Sequence, residues 1–178
     1  TIDKGSSVTN TGHITIDADG TLIVDGATIS GAGTVTGNGE IDLTGDAVLS
    51  GGTLNNNAAL NVSGIGNALS DETVANASTG TIEVLADGAL TIDLGSVVTN
   101  AGHVTVDAGG TLIVGGATIN GAGTVTGNGE IDLAGNAVLS GGVLTNNAVI
   151  KVSGAGNVLD SETVTNASTA TIEVLAGG

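Results

Sequence analysis

The chain has 178 residues, with 32 Gly and 40% hydrophobic residues, but no Phe, Tyr, Trp, Met, Cys or Pro. A wide globular core is built on bulky rings, a disulfide scaffold on cysteine, and collagen on Pro with Gly at every third position, so these classes are excluded. Only 11% of residues are charged and β-branched residues abound, which argues against disorder; a net charge of −16, with Lys4 and Lys151 the only cations besides two His, argues against nucleic acid or anionic lipid as a partner.

The first clear elements are Ile14-Thr-Ile16, an Asp-Ala-Asp-Gly turn, Leu22-Ile-Val24, an Asp25-Gly26 turn and Thr28-Ile29. The apolar-x-apolar triplet that opens this series returns at Ile41 to Leu43, Leu60 to Val62 and Ile82 to Val84. It appears again at Val104 to Val106, Ile131 to Leu133, Ile150 to Val152 and Ile172 to Val174. From Ile14 to Val104 the spacings are 27, 19, 22 and 22. Alternation of period two, broken by Gly, Asn and Asp at short intervals, is the pattern of short strands joined by tight turns. Helix is disfavoured, because each interior Gly costs about 1 kcal/mol relative to Ala and β-branched side chains lose freedom there.

A larger period governs the smaller one. Thr1 to Gly88 aligns without gaps on Thr91 to Gly178 at an offset of 90, with 66 of 88 positions identical. We therefore divide the chain into repeats 1–90 and 91–178, expected to form one continuous solenoid with four turns in each. The expected fold is all-β, a right-handed parallel β-helix with about 22 residues and three short strands per turn and about eight turns in total. In that register Ile14, Ile16, Ile41, Leu43, Leu60, Val62, Ile82 and Val84 line a narrow bore. So do their counterparts Val104, Val106, Ile131, Leu133, Ile150, Val152, Ile172 and Val174. Aliphatic replaces aliphatic at these places (Ile14 to Val104, Leu60 to Ile150), whereas Asn61 becomes Lys151 at an outward one.

The alternative architecture is an antiparallel β-sandwich, which also has frequent turns but rarely lacks aromatics. Asn56, Asn76 and Asn100 close successive strands, where they serve either as turn residues or as an amide ladder along the stack. The glycines of Gly31-Ala-Gly33 and Gly37-Asn-Gly39 are unchanged in the second copy, as expected where the backbone has positive φ or passes close to another turn.

Little in the chain suggests catalysis. His13 and His103, one per copy, fall four expected turns apart and cannot share a metal; each is expected beside the glutamate of the next turn, Glu40 or Glu130. Asp19, Asp25, Asp46 and Asp87 become Gly109, Gly115, Asn136 and Gly177, as turn residues do. Asp17, Glu40, Asp42, Glu72 and Glu83 recur as Asp107, Glu130, Asp132, Glu162 and Glu173. The weak candidates for divalent-ion contact are Asp42, Glu83, Asp132 and Glu173, in an outward row expected to read Thr15, Asp42, Asn61, Glu83. Lyase or epimerase chemistry on such a scaffold needs a base and cations, and with no Arg and no Tyr the set cannot be assembled. We expect no enzyme activity and no cofactor. An ice-binding face would need Thr-x-Thr in every turn, and Thr34-Val-Thr36 stands alone in its copy; sugar stacking lacks aromatic rings.

In the run Gly109-Gly-Thr-Leu-Ile-Val-Gly-Gly-Ala-Thr-Ile119, and in the wider pattern Asn-x-Gly-x-Ile-x-Ile-Asp-x-x-Gly-x-Leu-x-Val, the chain resembles bacterial autotransporter passengers and filamentous-haemagglutinin-like β-helical adhesins. The resemblance covers the whole length. It implies a secreted, cell-surface shaft of a large adhesin or biofilm protein, of which this chain would be a piece, its partners being neighbouring repeats and any receptor contact lying elsewhere. Two other expectations are a fibre subunit stacking end to end through homotypic contacts, and a weak ion- or glycan-binding surface module.

Overall fold

The computed structural model describes residues 1–178 as an all-β parallel solenoid of about eight turns. Twenty-five strands of three to five residues alternate among three parallel sheets, so that each strand pairs with the strands three before and three after it in the chain. The first sheet starts at Ser7–Thr9 and holds nine strands; the second starts at His13–Ile16, the third at Thr21–Asp25, and each of these holds eight. No helix is present.

Local chemistry explains the three-sided coil. Each strand is too short to do more than place one or two side chains inward, and a corner of Gly, Asn or Asp then turns the chain to the next face. Asp46, Asp71, Asp87 and Asn136 have positive φ at such corners, the residue types that tolerate it best. Other corners are shaped by closeness of approach. A Cβ at Gly39 would collide with the carbonyl oxygens of Asp17 and Gly20 in the turn below, and Gly129 stands in the same relation to Asp107 and Gly110. Gly39 thus meets the close-approach expectation and Gly37, whose Cβ would collide only with the Ile41 side chain, does not; in Gly31-Ala-Gly33 the first glycine has φ +105° and the second abuts the Asn10 amide.

The core is one continuous aliphatic column of 32 buried residues with no ring in it. In the third sheet Leu22, Ile41, Leu60, Ile82 and Val104 stack in register. In the first, Leu90, Leu112, Ile131, Ile150 and Ile172 do the same. Twelve of the sixteen expected bore residues are buried; Ile14 and Val152 are partly covered, and Ile172 and Val174, on the last rung with no strand above them, are 41% and 65% exposed.

Two parts of the expected register are corrected. Ile14 does not stack beneath Ile41: it pairs with Val35 in the second sheet, and Leu22 takes the place below Ile41. The repeat also overruns four turns. His13–Ile16 is the second strand and its counterpart His103–Val106 the fifteenth, so the offset is 15 − 2 = 13 strands, four turns and one strand more. Each strand of the second copy therefore lies one sheet further round than its counterpart, as His13–Ile16 in the second sheet and His103–Val106 in the third show.

Two polar systems run inside the stack. Asn56 Nδ2 donates to Asn76 Oδ1 at 2.8 Å, and Asn76 Nδ2 to Asn100 Oδ1 at 2.8 Å, with further bonds to the carbonyls of Thr81 and His103. This is the amide ladder, and it ends downward at Gly37, which has no side chain to satisfy the buried Oδ1 of Asn56. In the second copy the ladder continues as Asn146 to Asn166, one corner round. Asn67, fully buried, clasps another corner by accepting from Ala47 N and donating to the carbonyls of Ser63 and Gly64.

Candidate functional site

The recurring acids other than Glu72 lie on outward faces. Asp42 sits between Ile23 below and Asn61 above, with Glu83 one rung higher; the expected Thr15 belongs instead to the second sheet, beside Thr36. The corresponding row of the second copy, Asp132, Lys151 and Glu173, stands in the first sheet. In each row a non-acidic residue separates the two acids, leaving them about 9.6 Å apart in backbone spacing at two rungs of about 4.8 Å.

The separating residues bind their neighbours. Asn61 Nδ2 donates to Glu40 Oε1 at 2.6 Å and to Asp42 Oδ1 at 3.1 Å. At the matching place Lys151 Nζ forms an ion pair with Glu130 Oε2 at 2.6 Å. Burial, together with the Glu130 charge, pushes the Asp132 carboxyl above the ordinary range against the pull of Lys151, and its Oδ1 has no hydrogen-bond partner. In the first row a neutral amide bridges Glu40 and Asp42, and in the second a cation neutralises Glu130. No group of three or more His, Asp or Glu side chains is gathered as a metal centre would require.

His13 and His103 do not meet glutamates. His13 pairs with Thr34, and His103 with Thr124, whose Oγ1 lies 2.8 Å from its Nδ1; Glu40 stands in the third sheet beside Thr21 and Ala59. The expected His–Glu contact fails because it rested on stacking Ile14 beneath Ile41.

Glu72 is the one acid taken fully inside, at 3% exposure. Its Oε2 accepts the Gly52 amide at 2.9 Å from the turn below, and its own amide donates to Ser96 Oγ of the turn above. Burial raises its pKa above the ordinary carboxyl value; the Gly52 bond opposes this and the Asp71 charge adds to it. Glu162, its counterpart, is also raised by burial.

The single cavity, about 240 Å³, is the mouth of the core above the last turn, walled by Ile150, Val152, Leu159 and Ile172 among others. It extends the aliphatic column and presents no convergent polar groups. Compared with models of known families, with curated proteins and with solved structures, the chain matches none. The functional reading therefore stands on the rod itself and its outward faces.

One outward feature was invisible along the chain. The strands His13–Ile16, Thr34–Gly37, Thr53–Asn56 and Thr73–Asn76 all stack in the second sheet, and their counterparts in the third. The isolated Thr34-Val-Thr36 is thus one rung of a block. Its second-copy version carries Thr105, Thr126, Thr145 and Thr165 in consecutive register. Only strand pairing across about twenty residues could reveal this.

Proposed function

We propose that the chain is a shaft module of a large exported bacterial cell-surface protein, of the adhesin or biofilm kind, with no catalytic chemistry of its own. The observation that carries this reading is the seam between the copies: Asn67–Ser70 pairs with Ala89–Asp93, which pairs with Thr111–Gly115, so the ladder crosses from one repeat to the next without a joint. Repeats then add length and no hinge, and each contributes about 4⅓ rungs of about 4.8 Å, or about 21 Å. The charge of −16 supports the same role, since like-charged rods stay apart.

Concatemers of two, four and six 90-residue repeats test the shaft by small-angle scattering. The expected result is a rod of constant cross-section lengthening by about 21 Å per repeat; a bent or globular particle would remove the shaft. Antibodies raised against the folded chain test the location. Labelling of intact source cells is expected, and labelling confined to permeabilised cells would remove the exported role.

A further inference from the structure

We propose that the threonine block of the third sheet is an ice-contact face, binding the ordered water of a growing ice surface. The face comprises His103 and Thr105, Thr124 and Thr126, Val143 and Thr145, and Thr163 and Thr165, two outward positions on each of four parallel rungs in register. Backbone geometry fixes these side chains on a grid of about 4.8 Å between rungs and about 6.6 Å along the strand. That grid repeats in two dimensions, as the oxygens of a hexagonal ice plane do.

Three observations separate this face from the rest of the surface. First, it holds no Asp, Glu or Lys on a chain of charge −16; the nearest acid of the sheet is Glu83, on the rung below Thr105. An ion keeps its own hydration shell and has no place in an ice lattice, so a charge-free block is what a neutral solid needs. Second, the hydroxyls of Thr105, Thr126, Thr145 and Thr165 have no protein partner, unlike Thr124 Oγ1, which meets His103. Thr is stiff at χ1, so these hydroxyls and methyls are presented with little freedom to lose. Third, the unbroken threonine column belongs to the second copy alone: on the second sheet the equivalent column of the first copy reads Thr15, Thr36, Asn55 and Ala75.

Other occupants fit less well. Four rungs by three residues of strand cover about 19 Å by about 10 Å, so two copies face to face would bury roughly 400 Å², far below the 1,200 Å² or more of a specific protein interface. A sugar surface would be gripped by stacking on aromatic rings, and the chain has none. The proposal is independent of the shaft reading, since it needs only the folded chain.

The test is partition of the full chain into a slowly growing ice hemisphere, together with thermal hysteresis by freezing-point osmometry. Several-fold enrichment in the ice over an inert globular protein is expected. It should be lost in T126K/T145K and reduced in T163K, an exposed site on the end strand of the sheet. T28K/S50K on the first sheet should partition like the parent. Exclusion of the folded parent from ice would overturn the proposal, as would parent-like partition of both T126K/T145K and T163K. Retention on crystalline cellulose without ice partition would also overturn it.

Discussion

Ile41 and Ile131 are the same residue of the repeat, yet they belong to different sheets: Ile41 stacks under Leu60 in the third, Ile131 under Ile150 in the first. The repeat advances one strand beyond four full turns, so its chemistry winds round the rod. The acid rows obey the same rule, with Asp42 on one face and Asp132 on the next.

This register is open to a direct test, because the chain has no cysteine. Pyrene labels on T15C/T36C are expected to give strong excimer emission, since these residues pair on adjacent rungs about 4.8 Å apart. Labels on T15C/D42C should give little. The reverse result would restore a four-turn repeat with Ile14 beneath Ile41.

Period-two alternation and the 90-residue offset make the parallel solenoid and its aliphatic bore legible in the sequence. Which sheet a strand joins is less so, because all three faces present the same apolar-x-apolar pattern. The spacing of 27 from Ile14 to Ile41, against 19 to 22 afterwards, was the available sign: it spans four strands where the others span three. The threonine face and the His103 to Thr124 contact depend on stacking between distant segments and leave no mark along the chain. The burial of Glu72 was equally hidden, because its neighbour Asp71 turns the corner at φ 52° and no periodicity records that.

The bore should dominate stability. Leu60 is fully buried, and Leu60→Ala is expected to cost about 2–5 kcal/mol in urea unfolding. Ile65, 72% exposed at a corner, provides the contrast, with Ile65→Ala changing stability by less than about 0.5 kcal/mol. Equal losses would mean that Leu60 is not in a packed core.

Asn76 is the centre of the amide ladder, accepting from Asn56 and donating to Asn100. Asn76→Ala leaves buried amide and carbonyl groups without partners, at about 1–3 kcal/mol for each group orphaned. Asn57, which bonds Asn38 on the exposed surface, should tolerate Ala within about 0.5 kcal/mol. Chemical denaturation of the two variants separates a structural ladder from a row of turn residues.

Gly12 and Gly102 occupy the same place in the two copies and should respond to Ala with opposite sign. Nothing lies within 4 Å of a Cβ at Gly12, so Gly12→Ala is expected to stabilise by about 0.4–1 kcal/mol through the unfolded chain. A Cβ at Gly102 meets the carbonyl oxygens of Gly80 and Ala77 in the turn below, so Gly102→Ala should destabilise by about 1–3 kcal/mol or more. Matching thermal shifts for the two would show that no turn packs under Gly102.

Glu72 links the fold to pH. Because burial raises its pKa, the native state holds the proton more tightly than the unfolded chain does. Its contribution is therefore fully favourable below the ordinary value of 4.5, and stability is lost as pH rises through the higher native value. Glu72→Gln keeps an oxygen to accept the Gly52 amide and removes the charge. The variant should melt above the parent at pH 7, and the gap should close as pH falls below 4.5, where the parent carboxyl is itself neutral. Thermal melts of the two proteins across that range provide the measurement. A gap that stays constant with pH, or a variant less stable than the parent at pH 7, would show that the native carboxylate is stabilised by its surroundings.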